Sequence, residues 1–156
     1  MSEHGDWMRR KVGVVTCSGE EIPEGMVSRV AARKVLEELK PNDTMTICIP
    51  LYLAGGEEEI SFVTKSPTIT IDGCDKLCAK RSVEKVGGRP IASVVVTDSM
   101  KREHVKLKTD SRRELEPKGA ELANTIASKV AAIIEDYVKA QRKVNERREG
   151  WEHGVS

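Results

Sequence analysis

Apolar residues in this chain fall into two alternating kinds of segment. Short continuous runs, Lys11–Thr16 (KVGVVT), Thr44–Ile49 (TMTICI), Thr68–Ile71 (TITI) and Ile91–Thr97 (IASVVVT), are bounded by turn formers or proline and predict strands buried on both faces. Between them lie segments with helical spacing. Glu24–Lys40 carries Met26, Val27, Val30, Ala31, Val35, Leu36 and Leu39 on one stripe and is followed by Pro41. Glu57–Lys65 starts with three acids, which suit the positive end of a helix, and Cys74–Val86 runs up to Gly87-Gly88. From Pro117, a residue suited to a first helical turn, Leu122, Ile126, Val130, Ile133, Ile134, Tyr137 and Val138 form a second stripe. It weakens past Val138, so this helix is expected to leave the body of the domain or fray.

The predicted order is β-α-β-α-β-α-β plus a long C-terminal helix. Strands alternating with helices imply a parallel sheet covered on both faces. The expected fold class is therefore α/β: a single three-layer αβα domain with a four-stranded, mostly parallel sheet. Residues 1–9 read as a polar tail, 10–140 as the domain including the start of the last helix, and 141–156 as helix end and tail. Asp98–Glu116 has no steady period. Its HVKLKT segment alternates as a small edge strand or hairpin would, and so long a stretch without a period reads as a functional flap or disorder.

Composition narrows the functional classes. Hydrophobic residues make up 38% and charged residues 33% of 156 residues, as in a domain that buries its own core. With 26 basic and 25 acidic residues the net charge is +1, which gives no field to gather nucleic acid or an anionic membrane. Neither a membrane span nor a secretory leader is expected, so the reading is cytoplasmic. The basic run Lys101-Arg102, Lys106, Lys108 and Arg112-Arg113 is interleaved with Glu103, Asp110 and Glu114 and reads as a solvated surface. Ser18-Gly19 and Gly55-Gly56 read as turns, because the glutamates beside them would repel phosphate. His4, His104 and His153 are scattered in polar segments and read as solvated. The outer end of the last helix is left as a candidate surface for a second copy of the chain.

The chemistry lies in the cysteines. A reducing cytosol favours metal binding or thiol chemistry over disulfides for Cys17, Cys48, Cys74 and Cys78. Cys17 directly follows the first strand, Cys48 falls near the end of the second, and Cys74 directly follows the third. Parallel strands bring these ends to one sheet edge, where ligands of open α/β sheets bind. Cys78, four residues beyond Cys74, would share its helix face. Zinc–sulfur bonds of about 2.3 Å set tetrahedral sulfurs roughly 3.8 Å apart, within reach of strand ends about 4.8 Å apart. Order 2-1-3-4 makes both other cysteine-bearing strands neighbours of the first, and is favoured on that ground. Helix starts after each strand favour thiolates. Asp72, Gly73 and Ser18 are candidates for the layer behind the sulfurs.

The segments VVTCSGEEIPEG (14–25), ICIPLYLAGG (47–56) and ITIDGCDKLCAKRSVEK (69–85) resemble the DGC family, named for an Asp-Gly-Cys motif. The resemblance covers about residues 11–97 and implies a cysteine-rich metal site, usually described as zinc, at Cys17, Cys48, Cys74 and Cys78. It supplies no reaction. Three functions stay open: a metal-binding protein with one tetrathiolate site, zinc expected; a thiol, redox or sulfur-transfer enzyme using Cys74 and Cys78 or Cys17; and an iron–sulfur protein.

Overall fold

The computed structural model of the chain describes residues 11–19, 22–108 and 114–152, with side chains to residue 147. The polar N-terminal tail, His4, His153, Glu20, Glu21, Asp110, Arg112 and Arg113 lie outside the described residues, as do the last four positions.

Strand β1 (Val12–Thr16) lies between β2 (Thr44–Met45) and β3 (Thr68–Asp72), and β4 (Ala92–Val95) completes the sheet. The order is β2-β1-β3-β4, and every pairing is parallel. Val14 pairs with Ile69, Thr16 with Ile71 and Asp72 with Val95, so the strands finish together at one carboxyl edge. β1 and β3 are the inner strands and almost wholly buried, which is why they are rich in β-branched residues.

Helix α1 (Pro23–Lys34) continues into a π-helical turn, Val35–Leu39, which closes with Lys40 N–H donating to Val35 O. The long helix α6 (Pro117–Glu152) packs beside α1. Together they cover one face of the sheet. Val27, Ala31, Ala32 and Val35 meet Leu122, Ala123, Ile126, Ala127, Val130 and Ile134 over Val12, Val14, Ile69 and Ile71. Each fully buried Leu or Ile there contributes about 1.5–3 kcal/mol. The predicted stripe was right for Val27, Ala31 and Val35, but Val30 and Leu39 are exposed. α6 does leave the body: residues 139–147 are exposed while the helix continues.

The other face is covered by α2 (Ile49–Leu53), α3 (Glu57–Lys65) and α4 (Cys78–Lys85), through Tyr52, Phe62, Val63, Ala79 and Val83 against Val15. Gly13 makes room for Phe62: an added Cβ would lie 2.8 Å from Phe62 Cε1.

Three expected boundaries shift. The second strand ends at Met45, and Cys48 sits at the N-cap of α2, because Pro50 falls in the first turn of a helix rather than ending a strand. Helix α4 begins at Cys78, not Cys74. The turn before it puts Leu77 in the left-handed region at φ 53°, so Cys74 and Cys78 do not share a helix face. The fourth strand stops at Val95, and α5 (Val96–Glu103) occupies the start of the stretch expected to be a flap. Asp98 lies in its first turn, Lys101 and Arg102 in its last, and His104, left-handed at φ 53°, caps it. Residues 105–108 form no strand.

Candidate functional site

The carboxyl edge is built on a close approach of backbones. Gly19, in the loop after β1, has φ 62°. A Cβ on Gly25 at the start of α1 would meet Gly19 Cα at 2.2 Å, and one on Gly73 just after β3 would meet Gly25 N at 2.7 Å. Those distances lie inside van der Waals contact with backbone that cannot swing aside. Only glycine fits at all three positions, and the loops after β1 and β3 are thereby pressed against the first turn of α1.

Cys17 sits inside this packing. Its N–H extends the sheet ladder to Ile71 O at 3.1 Å, and its side chain is buried. The sulfur accepts the Gly73 N–H at 3.3 Å and lies 3.3 Å from Ser28 Oγ. Ser28 donates to Gly25 O at 2.7 Å and receives the Thr16 hydroxyl at 3.1 Å. Ser28 has one hydrogen and gives it to Gly25 O, so a neutral Cys17 thiol donates to Ser28 Oγ. A Cys17 thiolate would be matched by turning the Ser28 hydrogen onto sulfur, with the Gly73 N–H already in place.

Asp72 ends β3 and is 1% exposed. Its carboxylate accepts the N–H groups of Ala79 at 2.7 Å and Lys80 at 3.1 Å. These are orphan donors in the first turn of α4, which has no cap from Leu77. Asp72 is thus a cap supplied from the preceding strand. Burial pushes its carboxyl above the usual aspartate value, opposed by the two backbone N–H bonds and by the Lys80 ammonium.

Beside it, Tyr52 of α2 is fully buried, and burial raises its hydroxyl above the ordinary tyrosine value. The hydroxyl meets Ser82 Oγ, and Ser82 donates to Ala79 O at 2.7 Å. Ser82 has spent its only hydrogen, so Tyr52 is the donor.

Cys48 and Cys78 are exposed, at the starts of α2 and α4, while Cys74 is half-buried in the turn between β3 and α4; all four thiols are free. The backbone brings the four cysteines to the carboxyl side of the sheet. Their sulfurs are not gathered: among the described residues, no three His, Cys, Asp or Glu side chains are grouped so as to hold a metal ion. The donor set suits zinc or an iron–sulfur cluster in kind, being four soft thiols, but its present arrangement is not a coordination shell. Of the other predicted residues, Gly73 supplies its N–H to Cys17, and Ser18 is exposed with its carbonyl held by the Arg29 guanidinium at 3.1 Å. Sequence reasoning missed Ser28, Tyr52 and Ser82. Each lies in an apolar or helical run, where nothing local separates it from a packing residue.

Among the described residues, no helix is long and apolar enough to cross a membrane. The family model of the DGC domain matches residues 13–119, from β1 into the first turn of α6. No curated protein and no solved structure matches the chain.

Proposed function

Since the chain belongs to the DGC-domain family, we propose that it is a metal-binding protein holding one ion, zinc, as the thiolates of Cys17, Cys48, Cys74 and Cys78. The observation that carries this reading is the sheet order. β1, which leads into Cys17, lies between β2, which leads toward Cys48, and β3, which leads into Cys74. Three cysteines distant in sequence therefore follow adjacent parallel strands, and Cys78 opens the next helix. Binding would need the exposed thiols of Cys48 and Cys78 to turn toward Cys17, and exposed side chains change rotamer in nanoseconds or less. When bound, zinc with four thiolates is coordinatively closed, so it holds the site together and leaves no open position for a substrate. A reducing compartment, the cytoplasm, is where such thiols persist.

Elemental analysis of protein purified anaerobically under reducing conditions tests this reading. The expected result is one zinc per chain, lost with Cys17→Ser or Cys78→Ser. A colourless chain with far less than one metal and one fast-reacting thiol would overturn it in favour of thiol chemistry. A brown protein containing iron and sulfide would replace zinc with a cluster.

A further inference from the structure

The two exposed cysteines begin separate helices, and a chain of buried hydrogen bonds joins those helices. Tyr52 N–H donates to Cys48 O at 3.3 Å, tying the tyrosine to the turn that Cys48 opens. From there the Tyr52 hydroxyl crosses to Ser82 Oγ, Ser82 donates to Ala79 O, and Ala79 N–H donates to Asp72. Ala79 is the covalent neighbour of Cys78. Tyr52, Ser82, Ala79 and Asp72 are all buried, so the bonds from the Tyr52 hydroxyl to Asp72 are shielded from solvent.

Packing alone does not require this chain. α2 spans Ile49–Leu53, and Leu51 and Leu53 face solvent at 46% and 45% exposure. Tyr52 is the side chain by which α2 is sunk into the core, and its hydroxyl is aimed at α4. A phenylalanine would bury the same ring without fixing the register between the two helices. A hydroxyl placed this deep is stabilising only with its partner, which makes the contact directional.

We infer that Tyr52, acting through Ser82, and Asp72, acting on the first turn of α4, are positioning residues that set the spacing of Cys48 from Cys78. Neither is one of the four proposed ligands. The consequence for zinc rests on the proposed metal site, whereas the spacing itself does not.

The test uses Tyr52→Phe in two backgrounds. In the metal-free chain with Cys17→Ser and Cys74→Ser, Cys48 and Cys78 are the remaining thiols, and the rate at which a short bis-maleimide links them reports their spacing. Tyr52→Phe is expected to lower that rate several-fold at nearly unchanged melting temperature. In the chain with all four cysteines, chelator competition is expected to show zinc affinity reduced by about 10-fold or more. Equal cross-linking rates with and without the hydroxyl overturn the inference, whatever the metal result. A slowed cross-link in a chain that binds no zinc upholds the spacing role and removes the metal reading. If Tyr52→Phe fails to fold, Ser82→Ala takes its place and is judged by the same rates.

Discussion

The backbone N–H of Gly73 points at the sulfur of Cys17, 3.3 Å away and 56 residues distant in sequence. This bond joins the ends of the two central strands. It also explains why a glycine follows Asp72: the N–H reaches the sulfur only because Gly73 lies against Gly25 with no side chain between them.

Gly25→Ala is therefore expected to destabilise the fold by about 3 kcal/mol, because the new methyl would fall 2.2 Å from Gly19 Cα. Gly87→Ala is the control. Its φ of 90° is costly for alanine, but an added Cβ meets nothing within 4 Å, so about 1 kcal/mol is expected. Chemical denaturation of the two variants measures the difference.

Ser28→Ala should cost about 1–3 kcal/mol. It removes the acceptor of both the Cys17 thiol and the Thr16 hydroxyl and leaves Gly25 O without its side-chain donor. Ser28→Thr would keep the hydroxyl but add a methyl at a position with no exposure, and should recover only part of the loss. Urea midpoints of the three proteins check this.

Ile126→Ala should cost about 2–5 kcal/mol, since Ile126 is 1% exposed in the α1–α6 layer. Val144→Ala, at 49% exposure on the outer part of α6, should change stability by less than about 0.5 kcal/mol. Equal effects would mean that the outer half of the helix is buried in solution.

Glu135 bridges Lys139 at 2.6 Å and Lys40 at 3.1 Å, linking α6 to the residue after the π-helical turn. Hydrogen bonds from Lys139, then Lys40, hold its carboxyl below the usual glutamate value. The folded state thus favours the charged form. Its stabilising contribution is present above about pH 4.3 and is lost as pH falls through the lower folded value. Glu135→Gln should flatten the acid limb of the stability profile slightly, and less so in high salt, because the site is solvent-exposed.

How much of this was legible in the sequence depended on whether the signal was local. β1 and β3 are runs rich in β-branched residues closed by turn residues, and the α6 stripe repeats over several turns; both patterns are self-contained. The order 2-1-3-4 followed from asking which arrangement brings Cys17 beside both other cysteine-bearing strands. The start of α4 was hidden because its cap, Asp72, lies seven residues before Ala79, on a strand. α2 was hidden because TMTICIP reads as a strand halted by proline, whereas proline serves equally well to begin a helix. α5 was hidden because Val95, Val96 and Thr97 continue a strand-like run into its first turn. At the site, the strand pattern located the cysteines at one sheet edge, whereas the Ser28, Tyr52 and Ser82 hydroxyls carry no local signal that sets them apart from packing residues.

The sheet has two outer strands, and one of them, β2, is only two residues long. A free strand edge is a template on which another chain can add by backbone pairing, and long flat edges invite aggregation. Here the chain turns into α2 almost as soon as it has paired with β1, and on the opposite side β4 gives way directly to α5. The same early turn that carries Cys48 off the sheet thus leaves little exposed ladder for a neighbouring molecule to extend.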